Sequence, residues 1–322
     1  MDRFDRAGRW AAYGAAGAMA PYALIKVSWV VGAIAGLLPI GDGFGLAGWV
    51  VLNTVTIGMA GMAGMGITMA LALVRPWGMR IPGPMMAFVA WVGTGFLVSM
   101  LPYAVLDSLW GMSGGEPQRQ EVDGPSMPGW EAALIQISFV GMGLGLAVAL
   151  PAYLRRRWPD VFTGRIGEDS GGRPSPVLWA VGIGAAIGIV WLYWAFGGTA
   201  GVAHPADRSA NWRLLMGVCG LWALTASAAT WAVSRGRPAR LPRWIPLVLG
   251  WLGTGSLFAW SGWKLPFTLY LHMARPADFS LPDNLALAAV LHTAAVTAGA
   301  VMLSAFIRTH RRSTAPDVAN AF

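Results

Sequence analysis

The sequence predicts an all-α integral membrane protein: eight transmembrane helices, arranged as a parallel four-plus-four internal repeat with both termini in the cytoplasm. Three observations carry that prediction. Apolar runs long enough to cross a bilayer fill most of the 322 residues, basic residues gather on alternate connections, and a motif of the first half returns in the second. Composition agrees, with 56% hydrophobic and only 12% charged residues, 18 Trp and 43 Gly, and a mean hydropathy of +0.54. A soluble chain of this length carries about a quarter charged residues, so lipid is the solvent for most of this one.

In chain order the apolar runs cover approximately residues 11–39, 46–74, 83–112, 130–154, 177–200, 212–234, 242–273 and 284–307. The first is too long for the apolar core of a secretion signal and continues through Lys26 and Trp29, so it is retained. Gly58, Gly61, Gly64 and Gly66 in the second run, like Gly141, Gly143 and Gly145 in the fourth, fit close helix packing. They do not fit a phosphate cradle, because no Walker or Rossmann pattern lies between a strand and a helix. The stretch from Gly111 to Gly129, rich in Gly, Pro and acids, is either a lid or a plain polar loop. Arg155-Arg156-Arg157, Gly171-Gly172, Pro174 and Pro176 mark a linker. The expected organisation is therefore a first repeat over 1–154, a linker over 155–176, a second repeat over 177–312 and a disordered tail over 313–322.

The net charge of +8 would point to nucleic acid in a soluble protein. Sorted by side of the membrane, it becomes a topology signal instead. With the N-terminus inside, seventeen of the 23 basic residues, from Arg3 to Arg312, fall on cytoplasmic segments. The outer loops hold only Arg119, Arg208, Arg213 and Arg275, and Lys26 and Lys264 lie within spans. That asymmetry over short loops places both termini in the cytoplasm and argues against nucleic-acid binding. The single cysteine, Cys219, lies in an apolar run and excludes an internal disulfide, a Cys-based zinc site and a Cys-ligated iron–sulfur cluster.

The duplication rests on named residues. Arg75, Arg80 and Pro82, then Trp91-Val92-Gly93-Thr94-Gly95, return 160 positions later as Arg235, Arg240 and Pro242, then Trp251-Leu252-Gly253-Thr254-Gly255. Trp29 and Gly32 return as Trp194 and Gly197, 165 positions on. Four spans separate equivalent positions, so the halves share one orientation, and a cavity between them is the expected place for a ligand. The alternative is that duplication simply builds a larger bundle.

An ionisable side chain in a span costs a few kcal/mol on insertion scales, on the order of 3 for Asp or Lys, and three stand out: Lys26, Asp107 and Lys264. Tyr22, Lys26 and Trp29 share one helical face, as do Tyr103, Asp107 and Trp110. In the seventh span Trp260, Trp263, Phe267 and Tyr270 form a stripe with Lys264 beside it. These residues, together with His272, are the expected substrate-binding set. Lipid-facing belt residues are the alternative for the stripe, and an ion pair with Lys264 is the alternative for Asp107. Asn53, Thr56, Gln136 and Ser138 fit interhelical hydrogen bonds. His272 and His292 fit packing, since no HxxH or HExxH spacing makes a metal site. Pro21, Pro102 and Pro266 precede Tyr22, Tyr103 and Phe267, and Pro151 lies in the fourth span. Each frees a carbonyl one turn upstream that buried partners or water must satisfy.

Coupling to protons or sodium normally needs carboxylates near the midplane, whereas Asp42, Glu131, Asp278 and Asp283 fall in outer loops or at span ends. A haem would have only His272 and His292, at different depths, and phosphate-transfer chemistry would want paired acids that are absent. An aromatic-lined site with few polar groups suits an apolar lipid or isoprenoid. One chemistry uses these ingredients directly: a carboxylic acid protonates an alkene or epoxide and aromatic faces stabilise the cation. In that reading Asp107 is the acid, Trp260, Trp263, Phe267, Tyr103 and Trp110 stabilise the cation, and no metal or other cofactor is required. Burial favours the protonated acid, while a nearby Lys264 opposes it. The other class that fits is a permease or exporter of an amphipathic small molecule, and a structural membrane subunit is a third.

In span count, size and aromatic content the chain resembles actinobacterial polytopic membrane proteins rich in Arg, Gly, Ala and Trp, a group that includes small integral-membrane terpene cyclases acting on prenylated natural products. The resemblance carries no catalytic residue to a position here. It implies a bacterial plasma membrane location, a lipophilic small-molecule substrate and contact with membrane lipid.

Overall fold

The computed structural model describes residues 3–37, 45–112, 129–157, 163–169, 177–274 and 282–313. Its regular structure is helical: α1 (Arg3–Ile34), α2 (Gly45–Ala72), α3 (Gly83–Met112), α4 (Gly129–Arg157), α5 (Leu178–Ala195), α6 (Ala210–Arg235), α7 (Trp244–Ala274) and α8 (Leu285–Ser313). No strand occurs among the described residues, only isolated bridges at Arg165–Pro242 and Val202–Asp283. Residues 113–128 of the expected lid, most of the expected linker and the tail beyond Ser313 lie outside the described residues.

Among the described residues six helices are long and apolar enough to cross a membrane: α1, α3, α4, α5, α6 and α8. Of the two others read as spans in the sequence, α2 is 28 residues long and its described apolar segment is Thr56–Ala72, the side chains of residues 45–48, 50–52 and 55 lying outside the described residues. In α7 the indoles of Trp251, Trp260 and Trp263, with Gly253, Thr254, Gly255, Ser256, Ser261 and Lys264, dilute the aliphatic content.

The chain divides into two compact units, Met1–Ala90 with Trp110–Arg157, and Trp91–Leu109 with Trp158–Phe322. In the first, α1 packs against α4 and α2. The α1–α4 seam is made of small residues facing small residues. A Cβ on Gly145 would lie 2.6 Å from that of Ala15, and one on Gly141 would lie 2.5 Å from that of Ala18. Such pairs let backbones approach closely, which gains dispersion contacts where lipid gives no hydrophobic drive. At the end of α4, Arg156 donates to the carbonyl of Leu73 (2.8 Å) and Arg157 to that of Ile81 (3.1 Å). Cations thus satisfy backbone acceptors at the α2–α3 connection.

The second unit closes α5, α6, α7 and α8 into a ring of neighbours around a core containing Ile187, Trp191, Cys219, Leu257, Trp260 and Met302. Part of the expected linker is tied down here. Ile166 and Gly167 donate backbone hydrogen bonds to Leu241 and Ala239, and Arg243 donates to Gly164. The α3 segment of this unit meets α7 through the recurring motif itself. The Trp91 indole donates to Thr254 (3.1 Å) and the Trp251 indole donates to Thr94 (3.2 Å). Between them a Cβ on Gly255 would press against the Trp91 carbonyl at 2.7 Å, so glycine is what permits this approach. Pro21, Pro102, Pro151 and Pro266 stand inside helices. The carbonyl that Pro102 frees, that of Val98, accepts the Trp222 indole N–H at 2.9 Å.

Candidate functional site

Two polar clusters with aromatic walls stand out, one in each unit. In the first unit, Tyr22, Lys26 and Trp29 share a face of α1 and come together. The Lys26 Nζ lies 3.5 Å from the Trp29 ring centroid and 5.6 Å from that of Tyr22. The Tyr22 ring meets Phe139 of α4 edge-on, with centroids 5.0 Å apart. Lys26 is 6% exposed and Glu131, in the first turn of α4, is 7% exposed, and the two charges attract. An ammonium over an indole face with a carboxylate nearby is a compensated buried cation.

The second cluster gathers where α5 and α7 end and α6 and α8 begin. Local sequence fixes its parts. Ser209 caps α6 by accepting the Trp212 backbone N–H (3.0 Å), which seats the Trp212 indole in the first turn. Asn284 caps α8 by accepting from Leu287 (3.2 Å). Just before that cap, the carbonyl of Pro282 accepts the backbone N–H groups of Ala203 and His204, and Asp283 bridges to Val202. With its backbone held, Asp283 accepts the Trp212 indole N–H at 3.2 Å. Burial pushes the Asp283 carboxyl above its ordinary value, while the positive charge of Lys264 and the Trp212 hydrogen bond pull it back.

Lys264 Nζ lies 5.4 Å from the Trp260 ring centroid. One turn deeper, His292 of α8 and Ser261 of α7 share a hydrogen bond of 3.2 Å between Nδ1 and Oγ, and the imidazole faces Trp191 at 6.0 Å. Trp194 donates its indole N–H to Ala200 (2.8 Å) and lies 6.3 Å from Trp212. Trp260 itself packs near Phe96 at 6.2 Å.

The seventh-span stripe does not share one environment. Trp260 is buried, whereas Trp263, Phe267 and Tyr270 are 41%, 49% and 54% exposed. At about 100° per residue these three fall to one side of Trp260 and Lys264 to the other, so the stripe straddles the edge of the buried face. His272 is half-buried. The side chains of Tyr103, Asp107 and Trp110 lie outside the described residues. For Lys264, the carboxylate that the described residues bring into electrostatic reach is Asp283.

Sequence reasoning gave no site role to Asp283, Glu131, Trp212 or Ser261. Asp283 carries a usable signal in Pro282-Asp283-Asn284, a turn and helix cap that hold an acid beside the next helix start. No protein-family model, curated protein or solved structure matches the chain. Its class follows from the helices: with six long and apolar enough to cross a bilayer, this is a multi-pass membrane protein.

Proposed function

We propose that the chain crosses the membrane eight times as two parallel four-helix repeats, with both termini in the cytoplasm, and that its second unit acts on an apolar isoprenoid-type molecule. Supporting the repeat are the recurring motifs and the reciprocal Trp91–Thr254 and Trp251–Thr94 hydrogen bonds. A contact in which residue i meets j and the copy of i meets the copy of j is the signature of two-fold related segments. If that reading holds, Trp91→Phe and Trp251→Phe each cost about 1 kcal/mol and lower the melting midpoint in detergent equally. A large inequality would count against it.

The observation that carries the activity is the Asp283 carboxyl, raised by burial, held by Trp212 and grouped with Trp194, Trp260 and Lys264. A carboxyl whose hold on its proton is strengthened by burial, beside aromatic faces, suits metal-independent cyclisation. The acid proton adds to an alkene carbon or epoxide oxygen, the cation closes a ring against the indole faces, and loss of a proton to the carboxylate restores the acid. Lys264 opposes protonation and burial favours it, burial being the larger of the two. Asp107 is the second acid in this proposal.

The test is incubation of the detergent-purified protein, without added metal, with farnesylated and epoxy-farnesylated aromatic compounds, followed by chromatography and mass spectrometry. The expected product has unchanged mass and a new retention time, and is lost in Asp283→Asn. Loss only in Asp107→Asn would move the acid to α3. Binding without conversion across the panel would overturn the enzyme in favour of a permease or exporter.

A further inference from the structure

The tryptophans of the second unit differ in one respect. Five of them spend their indole N–H on an identified acceptor: Trp91 on Thr254, Trp194 on Ala200, Trp212 on Asp283, Trp222 on Val98 and Trp251 on Thr94. Trp260 does not. Its residue is 4% exposed, its Nε1 is buried, and no acceptor lies within bonding distance among the described residues. A buried donor without an acceptor is costly in protein and more so in a bilayer, where water cannot stand in. The nearby hydroxyl of Ser261 is already engaged with His292. The neighbouring ring, Phe96, offers only an aromatic surface. On the other side stands Lys264, whose ammonium is 5.4 Å from the Trp260 centroid and adds positive potential.

We propose that the molecule bound at this cluster is an oxygenated isoprenoid rather than a hydrocarbon, with an epoxide, ether or carbonyl oxygen that accepts the Trp260 indole N–H beside Lys264. The inference rests on the second-unit site proposed above and narrows its ligand. The Trp260 N–H, buried without an acceptor among the described residues, discriminates in a definite sense. A ligand with the oxygen pairs it, while its hydrocarbon counterpart leaves it buried and unpaired. Trp260 is here a binding residue that selects and orients the oxygenated end, with the proton supplied by the carboxyl.

Binding is measured with a matched pair of probes, a farnesyl phenol and its terminal epoxide, by equilibrium titration of the detergent-solubilised full chain. The wild type binds the epoxide at least about fivefold more tightly than the olefin, the value of one hydrogen bond, and Trp260→Phe removes most of that ratio. Should the variant fold poorly, nitrogen-15 labelling of the indoles gives a second readout. One indole N–H resonance shifts downfield with the epoxide and not with the olefin. Equal binding of both probes by the wild type overturns the oxygen preference while leaving the site in place, and binding of neither overturns the site itself.

Discussion

Each unit keeps one lysine under a tryptophan, and the two are kept differently. Lys26 is closed in: its ammonium sits 3.5 Å from the Trp29 centroid, Tyr22 flanks it and Glu131 is buried nearby. Lys264 is half-buried, its distance to the Trp260 centroid is 5.4 Å, and its charge reaches Asp283, which also takes a hydrogen bond from Trp212. Around Lys26 the described aromatic and acidic groups compensate the cation. Around Lys264 the polar groups exceed what they satisfy in one another, since the Trp260 N–H is left over. A compensated cluster is an anchor for two helices, whereas an uncompensated one has chemistry to offer a ligand. That difference, with the Asp283 carboxyl held by Trp212, is why the proposed activity is placed in the second unit.

The largest effect expected from the comparison is in the first unit. Lys26→Met removes the ammonium that lies over Trp29 and attracts the buried Glu131 and costs about 2 kcal/mol, read as a drop in the thermal midpoint in detergent. Lys26→Met with Glu131→Gln recovers part of the loss. A wild-type midpoint for the single variant would erase the distinction between the clusters. Lys264→Met has the smaller effect, about 1 kcal/mol, because a half-exposed charge is partly solvated and its partner can take up a proton.

The smallest effect is a pH slope, and its sign is fixed. The folded Asp283 carboxyl holds its proton more tightly than the unfolded one. Its contribution is therefore present at pH below the ordinary carboxylate value and lost as pH rises through the raised folded value. The melting midpoint of the wild type falls over that interval relative to Asp283→Asn. In Lys264→Met the fall moves to higher pH, because the charge that held the carboxyl down is gone. A midpoint rising with pH through this interval would reverse the assignment.

Helix positions were legible because an apolar run of bilayer length has few other readings. The Lys26 face was legible too, since Tyr22, Lys26 and Trp29 follow helical spacing and meet one another on the same element. The α7 stripe had the right period, but period alone does not say where a helix's buried face ends, and the edge fell between Trp260 and Trp263. Asp283 and Glu131 were not legible as site residues because both stand near helix starts, where acids are ordinary. Only the closing of the chain, through the Pro282 carbonyl and the Val202–Asp283 bridge, brings Asp283 to Trp212. The role given to Asp107 rests on its place in the sequence alone.

The hydrogen bonds from Arg156 to Leu73 and from Arg157 to Ile81 span 83 and 76 residues of chain. At about 5–20 residues per second of synthesis, the α2–α3 turn therefore emerges roughly 4–16 s before the guanidinium groups that will hold it. Biogenesis of the first unit then has a built-in order: the turn is made first and locked only when the end of α4 arrives. A nascent chain stalled short of Arg156 carries that turn without its latch.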